Sequence, residues 1–341
     1  MNSMSPQQAS ALTLEERLTF DNTTMVIPRS VPRKFRDYRG QSVPLRTGKQ
    51  RSAVWLTPAE ASSFGVEDPD SLLPPGSSLK AVEPNSRVAL GNFRHQGHHW
   101  IAVIRVDSVQ TILVQQEIFL RGPITHRPLA AHGQIRFLLQ KNASVQLLPQ
   151  EPGQGTYEGQ PLDDFIASAE AVPPRIKGFP AYSLYGGARG WYRQCLRFVS
   201  TAEKALDMLT GENTVNQFLL HLKPGEPPKV LLEALRRAHQ MGMDVTYNIF
   251  AIGGTQCVYE MFNILDHSIL DERDNLGFLT KLYKHFDRIP LFVGRYLDYR
   301  GLRYTEPKHK QFPTLNEELD LSPEDSEHLR LKLDTLAKVQ S

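Results

Sequence analysis

The stretch Tyr247-Asn-Ile-Phe-Ala-Ile-Gly-Gly-Thr-Gln-Cys-Val-Tyr-Glu-Met-Phe-Asn-Ile-Leu-Asp-His267 decides how the chain is read. It predicts a short apolar strand, a sharp turn at Gly253-Gly254, and a helix opening just before Cys257. Thr255 is the expected N-cap, its hydroxyl accepting from an N–H of the first turn. Val258, Met261, Phe262 and Leu265 recur at helical spacing, so one face of that helix meets a core. Cys257 then falls in the first turn, where unpaired N–H groups and the helix dipole favour an anion and lower a thiol's pKa. That is the environment a nucleophilic cysteine needs. Free cysteines also serve as plain core filler, and position alone leaves both roles open.

Working outward, 341 residues suffice for one large core or two modest ones. With 39 Lys and Arg against 37 Asp and Glu, the net charge of +2 makes a dedicated nucleic-acid binder unlikely on bulk electrostatics. The two cysteines, Cys195 and Cys257, make no disulfide scaffold, and no C-x-x-C metal spacing occurs. No G-x-x-x-x-G-K-[ST] phosphate loop is present either, so no cofactor is expected. The N-terminus lacks a basic segment followed by an apolar run, and no stretch is long and apolar enough to span a bilayer. The expectation is a soluble, cytoplasmic protein, with leaderless export or periplasmic action left open.

Residues 1–52 read as a basic, poorly structured N-terminal arm. Between Pro28 and Arg51 lie Arg29, Arg33, Lys34, Arg36, Arg39, Arg46, Lys49 and Arg51 against the single acid Asp37. Such a run is either a solvated face or a contact for an acidic partner or anionic lipid. Thr13-Leu-Glu-Glu and Thr57-Pro-Ala-Glu carry helix-start signals. Residues 53–290 read as one α+β domain. Arg87–Phe93, Trp100–Val106, Thr111–Phe119 and Gln134–Leu139 are strand-like runs with short connections, predicting an antiparallel sheet with packed helices. Leu162–Ala171 is expected to be helical, Ile176–Gly187 a strand-plus-turn ribbon, and Cys195 core filler. Phe218–Leu222 reads as a strand, and Lys229–Met241 as a helix with Val230, Leu231, Ala234, Leu235 and Ala238 on one stripe. Phe278–Phe286 reads as a helix. Residues 291–341 form a C-terminal strand, seen as Pro290–Tyr299, and a capping helix opened by Ser322-Pro-Glu-Asp.

Between the first two strands lies His95-Gln-Gly-His-His-Trp100, the densest histidine cluster in the chain. Zinc sites draw their ligands from separated segments, and no companion spacing exists, so a metal is the weaker reading. A strand-borne imidazole instead suits a general base for Cys257. Ordinary papain-like enzymes place cysteine before histidine. Here the histidine strand comes first and the cysteine helix far downstream, the order of a circularly permuted version of that fold.

Gly97-His98-His99-Trp100-Ile101, Ile176-Lys177-Gly178, the helix after Phe218-Leu-Leu, and Tyr247…Cys257…Leu265-Asp266 occur in the order of the blocks of one family, over residues 86–270. On these blocks the chain resembles the Lnb N-terminal periplasmic domain family, a permuted, NlpC-like (papain-like) thiol fold whose bacterial members include lipoprotein N-acyltransferases. The resemblance implies Cys257 as nucleophile and His98 as general base. Gly254, Thr255 and Gln256 would form the oxyanion turn, with backbone N–H groups at Gln256–Cys257 as donors. Gln115 or Glu117 are the candidates for a third residue orienting the imidazole, with His132 a weaker one. The substrate class so implied is a peptide, a lipoprotein or another acyl or amide compound. The chain departs from the family in having Gln256 where Asn is usual before the cysteine, and only Arg105 as an imperfect match for the family's arginine. Hence two functions stand: a cysteine-dependent acyl-transfer enzyme, hydrolase or acyltransferase, or a non-catalytic protein of the same fold that binds an acidic partner through residues 28–51.

Overall fold

Strands β1 (Thr24–Val26) and β2 (Ser42–Pro44) pair with each other, and every later strand among the described residues joins one ten-stranded sheet. The computed structural model describes residues 12–77, 82–121, 128–211, 213–251, 253–270, 290–303 and 312–320. The large sheet contains β3 (Val54–Trp55), β4 (Arg87–His95), β5 (His98–Arg105), β6 (Val109–Arg121), β7 (Pro128–Leu139) and β8 (Gln146–Pro149). It is completed by β9 (Asp164–Val172), β10 (Tyr192–Ser200), β11 (Thr214–Leu219) and β12 (Thr246–Tyr247). Its main order is β11-β6-β7-β9-β10-β4-β5-β8, with β3 on β4 and β12 on β10. Every pair is antiparallel except β10 with β4, so the sheet is mixed rather than purely antiparallel.

Eight helices lie around this sheet among the described residues: α1 (Leu14–Thr19), α2 (Pro58–Ser63), α3 (Leu184–Ala188), α4 (Thr201–Gly211), α5 (Glu226–Met241), α6 (Cys257–Leu265), α7 (Val293–Tyr299) and α8 (Leu315–Leu319). Thr13 and Thr57 close capping boxes with Glu16 and Glu60, as their spacing predicts. The α5 stripe Val230, Leu231, Ala234, Leu235 and Ala238 is fully buried, as are Val258, Phe262 and Leu265 of α6. Both helices join one core with Phe137, Phe165 and Phe198, whose rings stack across β7, β9 and β10.

Polar residues occupy the alternate positions of the same strands. Gln217, Gln115, Gln134, Ser168 and Arg197 are successive cross-strand partners from β11 to β10, and Glu117 faces His132 one step along. All are buried. The side-chain period of two puts apolar residues on one face of these strands and this polar set on the other.

Several expectations are corrected. The expected helix at 162–171 is instead occupied by β9, Asp164–Val172, because Phe165-Ile-Ala-Ser-Ala-Glu-Ala-Val places polar residues at period two. Pro290–Tyr299 is a 3₁₀ turn followed by α7, not a strand. Residues 176–187 form a turn running into α3 rather than a ribbon. The N-terminal segment is no loose arm over its described part. Met25, Ile27, Val31, Phe35, Val43 and Leu45 are buried with Phe179, Trp191, Tyr192 and Cys195 in a second core. Its basic residues are spaced so that the apolar ones between them fold inward. The expected helices at Phe278–Phe286 and after Ser322 lie outside the described residues. No helix among the described residues is long and apolar enough to cross a membrane.

Candidate active site

Cys257 is the first residue of α6, and its position rests on the turn before it. Gly253 adopts φ 66°, and a Cβ at Gly254 would lie 2.2 Å from the Thr246 carbonyl oxygen. Only glycine lets the turn fold back on β12. Thr255 N donates to Thr246 O at 3.0 Å, and Asn248 N donates to Thr255 O at 2.8 Å. Thr255 is therefore part of this bridge and not the N-cap. The cap is Gln256, whose Oε1 accepts from Val258 N at 2.9 Å and lies 3.3 Å from the Cys257 sulfur. The longer amide still serves as a cap because its oxygen reaches an N–H of the first helical turn.

The imidazole that meets this sulfur is His132 on β7, in hydrogen-bonding range of the thiol. Gly133 N–H also points to the sulfur. A Cβ at Gly133 would stand 2.6 Å from Val258 Cγ2, so glycine is what admits the start of α6 against β7. His132 Nε2 lies 2.7 Å from Ser168 Oγ, which donates at 2.9 Å to Glu170 Oε1. Since the serine proton goes to the carboxylate, Ser168 accepts from His132 Nε2–H. Cys257, His132, Ser168 and Glu170 thus form one chain of contacts, with Glu170 Oε1 3.6 Å from His132 Nε2.

The charges follow from this arrangement. Burial pulls the His132 pKa down, but the adjoining Cys257 and Glu170 charges outweigh it and lift it to about 9. Burial raises the Cys257 pKa, while the His132 charge and hydrogen bond and the Gly133 N–H reverse this, leaving it below an ordinary thiol's. Glu170 is held well below the usual carboxylate range: His132, Lys204 and Arg197 overcome its burial. Lys204 Nζ sits 2.8 Å from Glu117 Oε2 and 3.7 Å from Glu170 Oε1. The second cysteine is a contrast. Cys195 is fully buried, and burial pushes its thiol up to about 12.

Two phenols complete the surroundings. Tyr182 and Tyr247 are hydrogen-bonded, with ring centroids 6.0 Å apart, and the Cys257 charge acts on both. Burial, reinforced by Cys257, raises Tyr182 to about 12 despite the Tyr247 bond. Tyr182 also packs edge-on against exposed Phe119, so an aromatic rim lies beside Cys257, a residue itself only 2% exposed.

The remaining predicted site residues go elsewhere. His98 opens β5, four strands from β7 in the sheet order, which is about 19 Å at the usual strand spacing. It is exposed and lines a separate cleft with Trp100 and Glu151. It is not the base for Cys257, because the β4–β5 hairpin and β7 lie far apart across the sheet. Gln115 is hydrogen-bonded to Gln217 and Gln134, not to the imidazole. Glu117 faces His132 across β6 and β7 but acts through Lys204. The histidine cluster is dispersed: His95 Nδ1 lies 2.7 Å from Ser200 Oγ, while His99 Nδ1 lies 3.7 Å from Glu151. Among the described residues no group of three His, Cys, Asp or Glu side chains is arranged to hold a metal ion.

A helix over 162–171 gives Ser168 and Glu170 no role, and His132 stands alone in the sequence, without a neighbouring histidine to draw attention to it. A legible signal existed in Ala131-His-Gly-Gln-Ile-Arg136, a histidine beside a glycine on a strand with polar residues at period two. No protein-family model, curated protein or solved structure matches the chain.

Proposed function

We propose that the chain is a cysteine-dependent acyl-transfer enzyme, a hydrolase or acyltransferase acting on an amide, peptide or acyl ester. The observation that carries this reading is the contact between Cys257, at the first position of α6, and His132, itself anchored through Ser168 to ionised Glu170. A thiolate beside an imidazolium is the ground state of such an enzyme. The sulfur attacks the substrate carbonyl carbon, forming the S–C bond while the π pair moves to oxygen. The tetrahedral intermediate collapses, the amine or alkoxide leaves with the His132 proton, and a thioester remains. Water or an acceptor amine then gives its proton to His132 and attacks the thioester, releasing the thiolate. Backbone N–H groups at Gln256–Cys257 are the proposed oxyanion donors. Histidine before cysteine in chain order suits a permuted papain-like arrangement, while the block at 97–101, part of the likeness to the Lnb N-terminal family, does not supply the base.

The test is labelling with an activated thioester, read by intact mass. One acyl adduct is expected on the wild type and on Cys195→Ala, and none on Cys257→Ala. His132→Ala slows acylation by about 10²- to 10⁴-fold, the usual contribution of a general acid–base group, while His98→Ala does not. Equal labelling of the two cysteine variants would remove the nucleophile, and a His98 effect matching that of His132 would remove the assigned base.

A further inference from the structure

We propose that the chain carries a second, non-catalytic site, in which a small phosphate-like oxyanion is held by Arg51 and Arg197 beside His99, on the buried polar face of β4, β5 and β10. The residues converge from four segments. Arg94 faces His99 across β4 and β5, and Val199 of β10 faces Arg94 on the other side. Residues 51–53 run beside β10: Ala53 N donates to Leu196 O at 3.0 Å, and Leu196 N donates to Ser52 Oγ at 3.2 Å. The charges of Arg51, Arg94 and Arg197 all act on His99.

The donors are present and their acceptors are missing. Arg94 Nε is satisfied by Glu203 Oε1 at 3.1 Å. By contrast Arg51 Nε, Arg197 Nε and Arg197 Nη2 are buried without a hydrogen-bond partner, as is His99 Nε2; Arg197 and His99 are each 3% exposed. A buried charged donor left unpaired loses its hydration with nothing in return, so such a group calls for an acceptor. The nearest carboxylates fall short. Glu151 Oε1 lies 3.8 Å from Arg51 and 3.7 Å from His99, and Glu170 lies 3.9 Å from Arg197 while already accepting from Ser168. The surroundings are cationic enough that burial and the guanidiniums of Arg51, Arg94 and Arg197 keep His99 neutral, pushed down to about 2.

Glu151, nearest to Arg51 and His99, also lines a cleft of about 450 Å³ that His98 and Trp100 border on the opposite face of β5. With its side chain 46% exposed, it can swing into solvent and leave its place to a ligand oxygen. The proposal does not rest on the thiol chemistry, although Arg197 also faces Glu170 at 3.9 Å.

The experiment follows the thermal unfolding midpoint of the full chain against inorganic phosphate, with chloride balancing ionic strength. A saturable rise at millimolar phosphate is expected, because a ligand that binds only the folded state stabilises it by mass action. Arg51→Met removes the rise, and Glu151→Gln lowers the half-saturating concentration several-fold by removing the competing charge. Arg36→Met, an exposed arginine of the same segment, and Cys257→Ala both retain it. Phosphorus NMR line broadening on wild type and Arg51→Met gives a readout independent of stability. No saturable response in the wild type, or an equal response in Arg51→Met, overturns the proposal.

Discussion

A thiolate at Cys257, a residue only 2% exposed, would be costly alone, and what offsets that cost is a proton carried by the neighbouring ring. His132 has its folded pKa raised from 6.5 to about 9. Its contribution to stability is therefore complete below its unfolded value and is lost as the pH rises through about 9. Glu170 is shifted the other way, so its contribution is present above its unfolded value of 4.5 and is lost in acid. For the proposed chemistry, acylation by an amide substrate should fall as pH rises through about 9, where the proton for the leaving group disappears. Glu170→Gln removes the charge that favours the imidazolium, so the alkaline fall moves to lower pH. Single-turnover acylation rates across the pH range check this, and an unmoved alkaline limb would show that Glu170 does not act on His132.

At the scale of elements, the site depends on how closely α6 approaches β7. The approach is set by Gly133, where the space for a Cβ is already occupied by Val258. Gly133→Ala should destabilise the chain by about 1–3 kcal/mol, the usual cost of overpacking, and push the sulfur away from the ring. A lower thermal midpoint together with slower labelling of Cys257 is the expected outcome; lowered stability with unchanged labelling would separate packing from site geometry. Helix α4 makes a second such contact, carrying Lys204 onto Glu117 and Glu170. Glu117, with Gln115 one of two candidates from the sequence for orienting the catalytic histidine, thus reaches His132 only through Lys204 and Glu170.

Over the whole molecule, the polar face of the sheet is buried and closed at one end by α8. Arg136 donates to both Glu318 oxygens at 2.7 and 2.9 Å and to Asp164 at 2.7 Å, while Gln217 also donates to Glu318 at 2.7 Å. Removing one partner strands buried charges of the other sign. Arg136→Met should cost about 3–5 kcal/mol, as breaking a buried pair does. Adding Glu318→Gln should recover part of that loss, and chemical denaturation of the single and double variants measures the coupling. Equal stability of Arg136→Met and wild type would show that α8 is not held through this cradle.

What the sequence by itself determined was local: the capping boxes at Thr13 and Thr57, the α5 and α6 stripes, the strand runs from Arg87 onward, and the placement of Cys257 at a helix start. Each of these depends on residues within one or two turns, where period and capping chemistry are complete in the chain itself. Which histidine meets the cysteine was not of that kind. His98 and His132 both sit on strands, and only the order β7-β9-β10-β4-β5 puts one beside the sulfur and the other at the far side of the sheet. Ser168 and Glu170 acquire their roles from the register of β9 on β7, and Arg197 from that of β10 on β9. Strand order and register are set by packing between segments far apart in sequence, so the tertiary structure alone decided which charges share the buried site.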